Sequence, residues 1–283
     1  MAMKLGFLGP EGTFSEQAAI KYCAEAELVP KASIQEVADA VESGDVDEGI
    51  VPIENSLFGS IIPVLDFLIE AEKSRIKFEL AIPVEQCLIS EPDRDLKKVT
   101  RIYSHPQALG QCRAYLARNF PGVDLVAALS TAGSVADMLL SEEPAAAIAP
   151  YRAAEIHHAT VVERGIEDGK SNFTRFAVLG HSDHRPTGHD KTSLAFWFSS
   201  DAPGTLYQAL GLFSNRGINL SKIESRPTGE SLGTYVFLAD ISGHRHDNSV
   251  SAALSDLAKI TSELKILGSY PQMPDTAGAP TGQ

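Results

Sequence analysis

The chain reads as an α/β protein followed by a smaller α+β domain. Three observations predict this. From Lys4 to about Gly180 short apolar runs alternate with helical patterns, as expected for strands joined by crossover helices. From Ser193 to Leu267 the order changes to strand, helix, strand, strand, helix, strand, the split βαβ or ferredoxin-like arrangement. Between them His181 to Asp190 is polar, holds Pro186 and Gly188 and lacks any period, which marks a linker.

In the first region strands are expected at Lys4 to Leu8, Glu48 to Ile53, Ala81 to Ile89, Val99 to Tyr103, Asp124 to Leu129, Ala145 to Ala149 and Phe173 to Leu179. Helix starts are legible between them. Thr13 with Glu16, and Ser33 with Glu36, have capping-box spacing. Pro106 suits the first turn of a helix carrying Leu109, Cys112 and Leu116. In the second region Leu194, Phe196 and Phe198 alternate along a strand, a helix from Pro203 stops near Gly217, and strands follow at Ile218 to Ser225 and Thr234 to Ile241. Val250, Ala253, Leu254, Leu257 and Ile260 then fall on one helical face before a last strand at Leu264 to Leu267. The Pro-, Gly- and Thr-rich tail, residues 272–283, reads as disordered.

Composition excludes several classes. A net charge of -13 disfavours nucleic acid or an anionic membrane surface as a general partner. No apolar run approaches the ~20 residues that span a bilayer. Three cysteines without a C-x-x-C pair indicate free thiols in a reducing compartment, and the N-terminus shows no basic region followed by a long apolar stretch, so a cytoplasmic location is expected. No H-E-x-x-H, G-x-S-x-G or acidic metal cluster occurs, and the linker histidines lack companion ligands, so no metal site is expected.

The chemistry collects where strands end and helices begin. Gly9-Pro10-Glu11-Gly12-Thr13-Phe14-Ser15, Glu54-Asn55-Ser56 through Ser60, Ser104-His105-Pro106-Gln107 and Ser130-Thr131-Ala132-Gly133-Ser134 each follow a strand. Ligands of open α/β sheets sit beyond such strand ends, and free N–H groups at helix starts favour anions. Thr13, Asn55, Ser56, Ser104, Gln107, Ser130 and Thr131 are therefore pocket candidates. Asn172-Phe173-Thr174-Arg175-Phe176 adds an amide, a hydroxyl and a guanidinium to a run that otherwise reads as buried strand. Arg175 is satisfied either by a protein carboxylate or by a ligand carboxylate in two-point contact. Alternation places Asn172 and Thr174 on one face and Arg175 on the other unless the strand begins late or bulges.

These phrases, in this order, resemble prephenate dehydratase: Gly-Pro-Glu-Gly-Thr-Phe-Ser at 9–15, Val-Pro-Ile-Glu-Asn-Ser at 51–56, Ser-His-Pro-Gln-Ala-Leu at 104–109, Ser-Thr-Ala at 130–132 and Asn-x-Thr-Arg-Phe at 172–176. The second region is similar to an ACT domain, and Glu224-Ser225-Arg226-Pro227 matches the phrase found in phenylalanine-regulated members. The resemblance implies a two-lobed, type 2 periplasmic-binding-protein-like catalytic domain at residues 1–180, with lobe one at 1–78 and 160–180 and lobe two at 79–160. A linker at 181–190 and a ferredoxin-like ACT domain at 191–271 complete it.

The implied reaction converts prephenate to phenylpyruvate with loss of water and carbon dioxide. No cofactor is required, because aromatisation of the ring drives it. Thr174 would assist departure of the hydroxyl. Asn172, Arg175 and the seven pocket candidates would bind substrate. Phenylalanine would bind at the ACT domain and inhibit, with Gly204, Thr205, Leu206, Asn219, Leu220, Glu224 and Ser225 as contacts, and the ACT domains would pair the chain into a homodimer or homotetramer. Thr205 and Tyr207 depart from the usual small or aliphatic residues there. Arogenate, the amino counterpart of prephenate, is the alternative substrate, and a catalytically silent amino-acid sensor is the alternative class.

Overall fold

The computed structural model describes residues 2–169, 172–199, 202–228 and 234–273. They divide into two compact units. The first takes residues up to Ala40, Val46–Val64 and Ala81–Phe176; the second takes Val41–Asp45, Leu65–Leu80 and the described residues from Ala177 onward.

The chain opens with β1 (Lys4–Leu8), α1 (Phe14–Tyr22), β2 (Glu27–Lys31), α2 (Ile34–Ser43), β3 (Glu48–Asn55), β4 (Gly59–Ser60), α3 (Ile62–Glu70) and β5 (Arg75–Pro83). It continues with β6 (Cys87–Ser90), β7 (Arg101–Ser104), α4 (Pro106–Gln111), α5 (Arg113–Asn119), β8 (Asp124–Ala127), α6 (Gly133–Leu139), β9 (Ala145–Ala149), α7 (Tyr151–Ile156), β10 (Thr160–Arg164) and β11 (Phe173–Gly180). Two sheets result, one ordered β2-β1-β3-β11-β5 with β4 on β3, the other β10-β6-β9-β7-β8. β1 is parallel to both β2 and β3, and β7 to both β8 and β9. Strand order therefore reverses at β1/β3 and at β7/β9. Such switch points leave a crevice beyond the strand ends.

The second sheet is covered on both faces, and β9 shows how. Ala145, Ala147 and Ala149 pack with Val135 and Met138 of α6 and with Ala153 of α7. Ala146 and Ile148, on the opposite face, pack with Ala108, Cys112 and Leu116. A strand buried on both sides is apolar throughout, and its alanines let helices approach closely. Glycine serves a similar purpose at Gly12. Its φ is +85°, and an added Cβ would lie 2.9 Å from the Ala153 Cα, so both backbone conformation and space require glycine.

Three expectations are corrected. The strand expected at Ala81 to Ile89 is two strands, β5 in the first sheet and β6 in the second, because residues 84–86 carry the chain across. β10, expected with the first lobe, pairs antiparallel with β6 in the second sheet, so the return crossing follows Arg164. β2 went unread because Pro30 interrupts it; at the sheet edge a proline is tolerated.

The later part forms β12 (Asp190–Trp197), α8 (Thr205–Ser214), β13 (Leu220–Pro227), β14 (Tyr235–Ser242), α9 (Asn248–Ile260) and β15 (Glu263–Pro271), the expected βαββαβ order. The antiparallel sheet runs β13-β14-β12-β15. Leu194, Phe196, Phe213, Ile241 and Leu257 centre its core, and Phe196 stacks on Phe237 with ring centroids 5.5 Å apart. β15 outlasts its expected end at Leu267. The tail expected to be disordered lies outside the described residues from residue 274 onward.

The second unit does not begin cleanly at the linker. Lys191 pairs with Glu79 at 2.9 Å, the side chains 11% and 1% exposed; breaking so buried a pair costs about 3–5 kcal/mol. Lys265 Nζ donates to the Ile69 and Ala71 carbonyls at the C-terminal end of α3, where a helix favours a cation. Arg226 holds Asp66 of α3 at 2.5 Å. Residues 65–80 thus fold with the later domain, a pairing of distant charges that local sequence does not reveal. Gly268 lies against Ile76 so closely that a Cβ would sit 2.1 Å from the Ile76 carbonyl oxygen. Gly268→Ala is expected to lower unfolding free energy by roughly 1–3 kcal/mol through this clash, measured by denaturant titration; unchanged stability would show that β15 can move away at no cost.

Candidate active site

Asn55, the last residue of β3, organises the site. Its Oδ1 accepts from the N–H groups of Leu57 (3.0 Å) and Phe58 (3.3 Å), an Asx turn that leaves the amide only one way round. Its Nδ2 is therefore the donor facing β11, 2.8 Å from Asn172 Oδ1, 3.1 Å from Thr174 Oγ1 and 3.2 Å from the Phe173 carbonyl oxygen. Thr174 accepts this bond, so its own proton is not committed to any protein acceptor among the described residues. Asn172 Nδ2 is likewise buried without a partner. Two unpaired donors next to each other are what a ligand rich in oxygen acceptors requires.

Thr174 and Asn55 open on a cavity of about 240 Å³, shared with Gln107, Ser130, Thr131 and His105. Asn172 lines an adjoining cavity of about 460 Å³ that meets Gln107 and Gln111. No Lys or Arg stands among the described lining residues of either, and Glu167 and Asp168 line the larger one, so an anion is better placed in the smaller. Anion recognition there falls to amides, hydroxyls and backbone N–H groups at helix starts. His105 caps α4: its Nδ1 accepts from the Gln107 N–H at 3.2 Å, so the ring proton is on Nε2 and the histidine presents a donor.

Four of the sequence candidates are employed away from the cavity, and Ser130, which lines it, also accepts from the Gly133 N–H at 2.9 Å. Thr13 caps α1, accepting from the Glu16 N–H at 3.3 Å and donating towards the Pro10 and Leu8 carbonyls; its neighbour Phe14 lines the cavity instead. Ser56 is exposed and its Oγ accepts from the Phe173 N–H at 2.9 Å, which fixes the register of β3 against β11. Ser104 is fully buried and donates to the Ile148 carbonyl at 2.6 Å. Arg175 turns to the face opposite Thr174, as strand alternation requires, and pairs with Glu54 at 3.2 Å. The carboxylate it meets belongs to the protein.

Sequence reading missed Gln86, Gln111, Val84, Ala108 and Leu129. Gln111 had a signal, one helical turn after Gln107. Gln86 had none, because the run containing it read as uninterrupted strand. The nearby thiols are inert: burial pushes Cys87 up to about 11 and Cys112 up to about 12, far from thiolate at neutral pH.

The second unit has its own cavity, about 400 Å³, lined by Gly204, Thr205, Leu206 and Tyr207 with Phe198, Tyr235 and Phe237. Asn219, Leu220, Glu224 and Ser225 are not part of its lining. Leu220 packs against the domain core, and Glu224 lies 3.6 Å from Lys222 along β13. Of the seven expected effector contacts, Gly204, Thr205 and Leu206 line this cavity, Leu220, Glu224 and Ser225 lie on β13, and Asn219 stands just before that strand.

Glu54 and Arg175 clamp β3 to β11 on the side away from Asn55 and Thr174. Arg175→Met is expected to lower the thermal midpoint while Arg175→Lys retains most of it, since the lysine still offers Glu54 a cation. Equal, wild-type midpoints for both would show that the pair does not hold the strands.

Comparison with known proteins gives the geometry a family. Residues 5–184 match the model for prephenate dehydratase and residues 193–259 that for the ACT domain. The bifunctional chorismate mutase/prephenate dehydratase of Aquifex aeolicus is 41% identical over 95% of this chain and 74% of its own length. A crystal structure of prephenate dehydratase in complex with L-Phe from Arthrobacter aurescens superposes with a TM-score of 0.88 at 34% identity, covering 95% of this chain and 90% of that one. GqqA, described as a novel type of quorum-quenching acylase, superposes at 0.86 with 29% identity over 95% and 98% of the two chains. With the Asn-x-Thr-Arg-Phe strand, the Asn55 turn and the Ser130–Thr131 loop gathered at one crevice, and a family match over most of the first 184 residues, this chain belongs to the prephenate dehydratase family and carries an ACT domain.

Proposed function

We propose that the chain converts prephenate to phenylpyruvate as a carbon-oxygen lyase, with Thr174 as the group that assists departure of the ring hydroxyl. The observation that carries this is the orientation of Asn55. Because its Nδ2 donates to Thr174 Oγ1, the threonine proton is left for the substrate.

The chemistry needs little more. The electron pair of the bond between ring and carboxylate moves into the ring as carbon dioxide leaves. The ring hydroxyl departs with its bonding pair and takes up a proton as water, and an aromatic ring results. Thr174 is a weak acid, so its contribution is a hydrogen bond placed where charge develops on the leaving oxygen in a partly desolvated cleft. Asn172 Nδ2, Gln107 and the Ser130–Thr131 loop supply acceptor recognition for the carboxylates and carbonyl of the substrate. The Thr174 cavity offers a small dianion amides and hydroxyls, with no fixed cation among its described residues.

We further propose that phenylalanine acts at the ACT domain and that ACT domains pair the chain into a homodimer or homotetramer; support comes from the L-Phe complex of the Arthrobacter relative and from the Glu224 phrase on β13. Thr205 and Tyr207, on the second-unit cavity, bear on effector preference. With no helix among the described residues long and apolar enough to cross a membrane, a cytoplasmic location is the reading the free cysteines favour. The likeness to GqqA raises acyl transfer as a second reading. It needs a base beside a nucleophile, and His105, with its proton on Nε2, offers a donor.

Prephenate turnover to phenylpyruvate, followed by its absorbance, tests the assignment, with arogenate and an N-acyl amide as competing substrates. Greater activity on either competitor would overturn it, and phenylalanine should depress the rate. Thr174→Ala is expected to lower kcat by on the order of 10² to 10⁴ with a smaller change in KM. Asn55→Asp should be comparably damaging, because the carboxylate would draw the Thr174 proton away from the substrate. Wild-type turnover in a folded Asn55→Asp enzyme would remove the orientation argument.

A further inference from the structure

Gln86 has no part in the chemistry above, yet it is built into the cleft. It stands on the first crossing segment, 2% exposed. Its backbone N–H donates to the Glu167 carboxylate at 2.8 Å and its carbonyl accepts from the Ile166 N–H at 3.2 Å. One residue thus ties both crossing segments together, which makes its position in the cleft rigid. Its side chain lines the same cavity as Thr174 and Asn55. There Nε2 donates to Gln111 Oε1 at 3.2 Å, while Oε1 is buried without any hydrogen-bond partner.

A buried acceptor without a donor is unfavourable in an isolated core. Lining a ligand cavity, it is satisfied when the ligand brings a donor. Thr174 is its complement, a hydroxyl proton without an acceptor in the same cavity. A hydroxyl group satisfies both, since it accepts through a lone pair and donates its hydrogen. We propose that Gln86 Oε1 accepts the hydrogen of the ring hydroxyl that leaves, turning the lone pair of that oxygen towards Thr174. Gln86 is then a specificity-determining residue: it recognises the hydroxyl that the substrate carries and the product lacks. The inference rests on the dehydratase reading given above.

The experiment uses the full-length Thr174→Ala protein, in which turnover is suppressed, with and without Gln86→Met. Prephenate and phenylpyruvate are titrated into each by calorimetry. The expected result is an affinity for prephenate about tenfold weaker in the Gln86→Met protein, as for loss of one hydrogen bond to a substrate hydroxyl, with phenylpyruvate affinity unchanged. Gln86→Asn, which withdraws the amide by one methylene, should show the same selective loss. Equal weakening of both ligands would mean that Gln86 only supports the cleft, and unchanged prephenate affinity would mean that it does not touch the hydroxyl; either overturns the proposal, as does loss of both ligands in both variants. Failure of Thr174→Ala itself to bind prephenate would instead overturn the dehydratase reading, before Gln86 is altered.

Discussion

The side-chain amide of Asn55 is the constraint on which the site depends. Held by two backbone N–H groups of its own turn, it cannot rotate without breaking both bonds. Its donor side therefore points permanently at β11, where it meets Asn172 and Thr174. A hydroxyl can donate or accept, and in an apolar strand it would take whichever partner was offered. Here the partner is a donor, so the threonine is left with a proton to give. The direction of one hydrogen bond thus decides what this hydroxyl can offer. The Glu54–Arg175 pair and the Ser56–Phe173 bonds hold the two strands in the register that this direction requires.

Around this centre the cleft works without fixed cations among its described lining residues. An arginine beside the leaving carboxylate would hold it tightly before reaction and oppose its loss as neutral carbon dioxide. Amides and hydroxyls bind it less tightly and distinguish less between the reactant and the developing transition state. The same logic makes sense of Arg175. Its charge, one residue from Thr174, is neutralised on the other face by Glu54. What selects the substrate is then shape together with a pattern of unpaired donors and acceptors.

Residues 65–80 belong with the later domain. Lys191, Arg226 and Lys265 bind side chains and carbonyls of α3 and β5, and α3 follows the Asn55 turn in the chain. Arg226 stands next to Ser225 in the Glu224 phrase on β13.

The element order of the later domain and most strands of the first region were legible in the sequence, because apolar period and helix caps are local properties. Alternation along β11 correctly separated Asn172 and Thr174 from Arg175, and Thr13 and Pro106 marked true helix starts. It could not assign employment to hydroxyls. Thr13, Ser56 and Ser104 have the same chemistry as Ser130 and Thr131, and only folding shows that the first three bond to backbone away from the cavity while Ser130, which accepts from the Gly133 N–H, still lines it. Nor could it find Gln86, since a crossing between sheets and a continuous strand have the same apolar composition over so few residues. The split of residues 81–89, the attachment of residues 65–80 to the later domain and the orientation of the Asn55 amide all arise from contacts between residues far apart in the chain. Those contacts carry no local pattern, and tertiary structure alone decided them.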